Sequence, residues 1–220
     1  MLACGHVSLV GYVLFPLDGN VLLYVQLSNL AGCSLCVPNM FMPLCCCFGH
    51  LRHVARLQGS PGFNMIEQPI NFLSWNLRGL HCPDRRSTVN ATIASSSCHV
   101  VCLQETKLDN VDQFTAAFLG GQRLRSFAQR PAIGTRGGIL LLWDDLLVDV
   151  SDVSLNTYCL SAMVSVRGTD VLFKITSVYG PTDNSCKDAF FAELLSQKPP
   201  PGMAWLASGD FNQIYRARDK

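Results

Sequence analysis

Charge is what this 220-residue sequence has least of: Asp, Glu, Lys and Arg make up 15% and leave a formal net charge of +1. That balance excludes an acidic tail and a strongly basic nucleic-acid footprint alike, so any contact with a polyanion has to come from a local site. The shortage is concentrated at the front. Between Met1 and Ile66 the only charged residues are Asp18, Arg52 and Arg56, and from Gly19 to Leu51 there are none. A convincing secretory signal is lacking as well, since no basic residue precedes the apolar run Val7–Leu17, and Pro16 and Asp18 end it early. A membrane span is not expected either. Val21–Val37 is diluted by Gln26, Ser28, Asn29 and Ser34, whereas a spanning helix wants about twenty mostly apolar residues. Cys33 and Cys36 followed by His50 and His53 imitate a zinc cluster, but the run Cys45-Cys46-Cys47 fits no regular ligand spacing. Internal repeats are absent.

From Glu67 onward the sequence has the mixed texture of an ordinary folded domain. Gly59-Ser60-Pro61-Gly62 and Gln68-Pro69 punctuate the change. This divides the chain into an apolar, Cys-rich leader, residues 1–66, outside the fold, and a domain over residues 69–220. Of the eleven cysteines, six lie in the first 47 residues and the others (Cys82, Cys98, Cys102, Cys159 and Cys186) are scattered singly. An odd count without a secretory signal points to a reducing compartment and no disulfide framework.

After Pro69 short apolar strands alternate with amphipathic helices. Strands are expected at Ile70–Trp75, His99–Leu103, Gly138–Trp143, Leu146–Ser154, Tyr158–Val166, Val171–Val178 and Met203–Ala207. A first helix, capped by Asp84, carries Val89 and Ile93 on one face. A second starts at Asp109 and stacks Val111, Phe114 and Phe118, and a third over Asn184–Ser196 turns Phe190, Phe191, Leu194 and Leu195 toward a core. This order argues for an α/β sandwich of mixed sheets rather than a parallel doubly wound fold.

Several polar residues share one position, each following the end of a buried strand: Asn76, Glu105, Tyr179, Asp210 and Asn212. Strand ends are where α/β folds gather side chains from distant parts of the chain into one cleft. Carboxylates are the hard oxygen ligands that Mg²⁺ takes, and amides and a phenol can hydrogen-bond a phosphate without adding charge. Taken singly, each has a structural explanation, as a solvated strand end, a turn former, a cap or a core aromatic. Their joint occurrence is what points to a site.

The motifs around them occur in order: Ser74-Trp75-Asn76-Leu77-Arg78-Gly79-Leu80, Cys102-Leu103-Gln104-Glu105-Thr106-Lys107, Arg136-Gly137-Gly138-Ile139-Leu140, Val178-Tyr179-Gly180-Pro181 and Gly209-Asp210-Phe211-Asn212. Over roughly residues 69–220 this succession resembles the endonuclease/exonuclease/phosphatase superfamily, with its DNase I-like sandwich of two mixed β-sheets flanked by helices. The wording is most similar to the endonuclease domain of plant LINE-type (non-LTR) retrotransposon polyproteins. The resemblance implies a Mg²⁺-dependent phosphodiester hydrolase acting on DNA in the nucleus, with Mn²⁺ as an alternative ion, no obligate protein partner and the cytoplasm as the alternative location. It also implies that Glu105 holds the metal with Asn76 beside it at the metal and phosphate. Asp210 would handle the proton of the attacking water or leaving group, Asn212 would orient the scissile phosphate, and Tyr179 would hydrogen-bond a phosphate oxygen.

One departure stands against the match. Such domains carry a further aspartate and a closing Asp-His pair, whereas no histidine follows His99 here and no Asp-His dipeptide occurs anywhere. The expectation is therefore a domain incomplete at its C-terminus and impaired in activity. An inactive transposon-derived fragment and a phosphatase of the same superfamily are the alternatives.

Overall fold

The computed structural model describes residues 70–134 and 136–212. Before them it describes only the backbone of four strand segments, Tyr12–Leu14, Leu22–Asn29, Ser34–Leu35 and Leu51–Gln58. The readings made above for Val7–Leu17, for Val21–Val37 as a membrane segment and for the Cys33–His53 cluster otherwise lie outside the described residues. Among the described residues no helix is long and apolar enough to cross a membrane.

The domain is built from two mixed sheets of four strands each. Phe72–Asn76 (β1), Val100–Gln104 (β2), Arg136–Trp143 (β4) and Ser126–Ile133 (β3) form the first, in the order β1-β2-β4-β3. Ala204–Asp210 (β8), Leu172–Tyr179 (β7), Cys159–Val166 (β6) and Val148–Leu155 (β5) form the second, in the order β8-β7-β6-β5, and the backbone of Tyr12–Leu14 runs antiparallel along β8. Each sheet contains one parallel pair, β1 with β2 and β7 with β8, and its other domain pairings are antiparallel. Parallel neighbours need a crossover. Pro83–Ser95 (α1) supplies it for the first pair, and Lys187–Ser196 (α3), after a short 3-10 turn at Asn184–Cys186, for the second. Gln113–Gly120 (α2) sits beside α1.

Alternation along the strands makes three apolar layers. Phe72, Val100, Cys102, Ile139 and Leu141 of the first sheet meet Leu160, Val164, Phe173, Ile175 and Leu206 of the second, with Phe72 edge-on to Phe173 at 5.5 Å between ring centroids. The outer face of the first sheet packs Leu73, Val101, Leu103, Leu140 and Leu142 against Val89 and Ile93 of α1 and Ala116 and Leu119 of α2. The outer face of the second packs Val178, Trp205 and Ala207 against Phe190. Because both faces are covered at β2 and at β8, all five residues of the first and all seven of the second are buried. Truncating a side chain such as Leu103 in such a setting costs about 2–5 kcal/mol.

Three local expectations are corrected. The first helix has Pro83 in its opening turn and Cys82 at the cap without a side-chain bond, so Asp84 lies inside the helix and does not cap it. The second helix begins four residues after Asp109, because Asp112 Oδ1 accepts from Thr115 N at 2.7 Å. That start turns Ala116 and Leu119 inward and leaves Phe114 at 85% and Phe118 at 49% exposure. In α3 only Phe190 is fully buried, and Leu195 faces solvent. The strand β3 is an addition to the elements read from the sequence.

Candidate active site

The side chains that point between the sheets become steadily more polar toward one end. Paired rungs run from Phe72 with Val100 and Phe173 with Ala204 to Asn76 with Gln104 and Tyr179 with Asp210. The last two rungs share a polar joint: Gln104 Nε2, in the last rung, donates down to Ser177 Oγ of the other sheet at 2.8 Å and to Ser74 Oγ at 3.2 Å. The end rung therefore sits on a polar floor that ties the two sheets together. Both parallel pairs finish here, so Asn76 and Glu105 leave the first sheet on the same side on which Tyr179 and Asp210 leave the second.

Asn76 and Asp210 close the gap between the sheets. Asn76 Nδ2 donates to Asp210 Oδ2 at 2.6 Å, and Asn76 Oδ1 accepts from Arg78 N at 3.1 Å. The other Asp210 oxygen accepts from Asn212 N at 3.0 Å, and Asn212 Nδ2 donates to Gly180 O at 2.8 Å. Gly180 N in turn donates to Asp210 O at 2.7 Å. The chain can make this lattice only without side chains at two glycines. A Cβ at Gly180 would lie 2.1 Å from Phe211 O, and one at Gly209 2.1 Å from Val178 O.

Glu105 is held by its backbone. Its carbonyl accepts from Gly79 N at 2.7 Å, and the two residues after it, Thr106 and Lys107, donate their N–H groups to Gly138 O and Gly137 O. A Cβ on Gly138 would meet Thr106 Oγ1 at 2.3 Å, so this turn docks on β4 only because the third residue of that strand is glycine. Glu105 has φ 54°, and Arg78, Lys107 and Asn212 also occupy the left-handed region, at 56°, 59° and 50°. Left-handed backbone costs an L-residue about 1–2 kcal/mol, so four such residues around one cleft mark where the fold holds strain. The Glu105 carboxylate pairs with Lys107 Nζ at 3.3 Å.

The electrostatics bring the five predicted residues into one neighbourhood. Burial first, and then the Glu105 carboxylate, push Asp210 above the ordinary aspartate range, against the pull of the Asn212 N–H, the Asn76 amide and Arg78. Burial also raises the Tyr179 phenol; Glu105 and Asp210 raise it further, while Arg130 and Arg136 oppose them. Asn76, Glu105, Tyr179, Asp210 and Asn212 are thus brought together.

A divalent cation is tested by the donors left over. Both Asp210 oxygens and the Asn76 oxygen are engaged by N–H groups, whereas the Glu105 carboxylate meets only a lysine that solvent reaches. No group of three or more His, Cys, Asp or Glu gathers among the described residues. A single carboxylate beside a second one whose proton affinity it raises fits Mg²⁺, which keeps most of its waters and relieves like-charge repulsion.

Sequence reasoning missed Arg130, which comes from β3 and approaches Tyr179 over Gly137, and the Gln104–Ser177 joint. No pattern in Ser126-Phe127-Ala128-Gln129-Arg130 marks the first, since polar and apolar residues do not alternate there. The described histidines lie elsewhere: His81 is exposed in the loop before α1, and His99 precedes β2, at the opposite end of that strand from Glu105.

A search of curated proteins finds no match to this chain. Among solved structures, the human Nocturnin catalytic domain with bound sulfate superposes with TM-score 0.52 at 15% identity, covering 69% of this chain and 67% of that one. A humanized TDP2 from D. rerio carrying 14 mutations gives 0.51 at 18% identity, covering 68% of each chain. An AP endonuclease from Leishmania major gives 0.48 at 20% identity, and this chain spans 56% of its length. At such identities the likeness is one of fold, a DNase I-like sandwich. The family model for endonuclease/exonuclease/phosphatase proteins matches residues 73–220, two thirds of the chain, and places the chain in that family of phosphate-ester hydrolases.

Proposed function

We propose that residues 69–220 form a Mg²⁺-dependent phosphodiesterase unit of endonuclease type whose substrate is DNA, derived from a LINE-type retrotransposon. The hydrogen bond from Asn76 to Asp210 carries this reading, because it joins the ends of the two parallel strand pairs around one polar cleft. The Glu105 carboxylate would hold the Mg²⁺. When bound, the ion supplies neutralisation of charge on the phosphoryl oxygens and a more acidic water.

The chain's own residues do the rest. Asp210, buried and raised, holds or accepts a proton at Oδ2 while the Asn76 amide fixes that oxygen in place. Tyr179, kept protonated, donates its hydroxyl to a phosphate oxygen. Asn212 has one Nδ2 hydrogen tied to Gly180 O, which leaves its second hydrogen and Oδ1 for the substrate. Donors fixed in advance stabilise developing charge without reorganising. A nuclear location goes with a DNA substrate.

The second reading, a fragment without enzymatic activity, is favoured by the absence of a histidine from the site among the described residues. A substrate panel separates the possibilities. Hydrolysis of bis(p-nitrophenyl) phosphate and of DNA in Mg²⁺, lost in EDTA, supports the diesterase. Hydrolysis of p-nitrophenyl phosphate alone would make the domain a phosphatase, and hydrolysis of none of them would favour the inert fragment.

A further inference from the structure

We propose that Arg130 is a phosphate-binding residue of this cleft, its guanidinium taking a non-bridging oxygen of a phosphodiester beside the Tyr179 hydroxyl. The inference rests on reading the cleft as a phosphodiester site and adds to it a cationic contact.

Arg130 faces inward from β3, the edge strand of the first sheet. Its neighbours on the same face are Ala128, which packs into the core between the sheets, and Ala132. It is paired with Ile139 in register and is only 8% exposed. A buried guanidinium normally has a carboxylate or a full set of carbonyls around it. Here Nε is buried with no hydrogen-bond partner, and the ion pairs among the described residues are Lys107 with Glu105 and Arg167 with Asp149. Glu193, whose charge it senses, is committed elsewhere, accepting from the N–H groups of Thr157 and Tyr158 at 3.0 and 2.7 Å.

The direction of the side chain shows what is missing. A Cβ built on Gly137 would lie 3.2 Å from an Arg130 terminal nitrogen and 3.7 Å from Cδ1 of Tyr179, so cation and phenol flank one point above a residue with no side chain. Gly137 O is the acceptor for Lys107 N, which places that point beside the turn carrying Glu105. Among the described residues, the desolvated cation has an Nε without an acceptor and stands next to a phenol that stays protonated. A phosphodiester oxygen is the acceptor that satisfies both, and arginine presents its N–H groups in the planar fork that phosphate oxygens match.

The test uses the full chain in EDTA, so that nothing is hydrolysed, with dithymidine monophosphate, which carries one phosphodiester, and its uncharged methylphosphonate analogue. Affinities are read by ligand-observed NMR for the wild type, Arg130→Met and Arg130→Gln. The expected result is a preference of about tenfold or more for the charged ligand in the wild type, and no preference in Arg130→Met. Arg130→Gln decides the matter if the methionine variant does not fold, and it too should show no preference. A preference that survives either substitution, or a wild type that binds both ligands equally, overturns the assignment. If the wild type binds neither ligand, the reading of the cleft as a phosphodiester site falls, and the arginine is then judged on inorganic phosphate. Broadening of the ³¹P line by wild type but not by Arg130→Gln upholds an anion site at Arg130, whereas equal broadening or none overturns it.

Discussion

Asn76 and Asp210, 134 residues apart in sequence, meet at 2.6 Å, and theirs is the side-chain bond that ties the end of β1 to the end of β8. It fixes Oδ2 of a carboxylate that burial has already made a stronger proton acceptor. Losing a buried bond to a charged acceptor costs about 1.5–3 kcal/mol. Asn76→Ala should therefore lose about 2 kcal/mol in urea unfolding at neutral pH. Asn76→Asp should lose more, since it sets two carboxylates in contact. The sign with pH follows from the raised Asp210. A folded-state value above the unfolded one means that the native protein binds the extra proton, so stability falls as pH rises from the unfolded value through the folded one. Asn76→Asp should steepen that fall and converge toward the wild type in acid. A parallel offset at every pH would show that the two carboxylates do not interact.

How much of this was legible in the sequence depends on what sets each feature. The strand ends were legible because β1, β2, β7 and β8 are short apolar runs that stop at polar residues, and buried parallel pairs read that way. The inward face of α2 was not, because Phe114 and Phe118 are its bulkiest apolar side chains and share one face, whereas the face that docks carries Ala116 and Leu119. Nor was Arg130, since an arginine in an edge strand reads as solvent-facing until the fold shows the second sheet lying over it. The left-handed backbone at Arg78, Glu105 and Lys107 leaves no signal, because none of these is glycine or asparagine, and Asn212 alone is of a type that favours it.

Gly180 tests whether the site depends on backbone approach as well as on side chains. A methyl group there meets Phe211 O at 2.1 Å, and Phe211 directly follows Asp210, the last residue of β8, so moving that carbonyl pulls on the strand end. Gly180→Ala should destabilise the domain by about 2 kcal/mol or more and cost activity beyond that loss, because Asp210 shifts with its strand. A variant within about 0.5 kcal/mol of the wild type by urea unfolding would show that the turn can relax.

The division of the chain near residues 60–68 predicts that residues 69–220 fold alone. The opposing consideration is the backbone pairing of Tyr12–Leu14 along β8, which covers an edge that would otherwise be open to pairing with other chains. Limited proteolysis of the full chain should cut first between Leu51 and Gln68. The released domain should stay monomeric with an unchanged Tm. Aggregation of the domain after the cut, or early cutting inside β7 with the leader protected, would make the leader part of the fold.

Metal binding should depend on Glu105. One protein carboxylate gives weak Mg²⁺ affinity, because the ion keeps most of its waters. Glu105→Gln preserves shape and removes the charge, and it should abolish the calorimetric binding signal. The same substitution frees Lys107, so an altered cleft could imitate lost affinity. Glu105→Asp, which keeps the charge on a shorter stem, controls for that and should retain measurable binding. Equal affinity in wild type and Glu105→Gln places the ion elsewhere.

The last prediction concerns activity itself, because the proposed site would combine a metal ligand, a proton acceptor and amide and phenol donors with no histidine among the described residues. Glu105, Asn76, Tyr179 and Asp210 can still gather an ion and a phosphate at one end of the sandwich. By the resemblance, the histidine of such domains would be a further donor to the phosphoryl group, and removing a comparable single donor lowers rates roughly a hundred- to a thousand-fold. The 220-residue chain should therefore nick supercoiled DNA slowly in Mg²⁺ and not at all in EDTA. Appending the C-terminal segment of a related domain, with its Asp-His pair, should raise the rate by about that factor. Asp210→Ala should abolish nicking in both forms, which ties any residual activity to this cleft and not to a contaminant. Rapid EDTA-sensitive nicking by the 220-residue chain, lost in Asp210→Ala, would show that the residues already present suffice and that the histidine is not needed here.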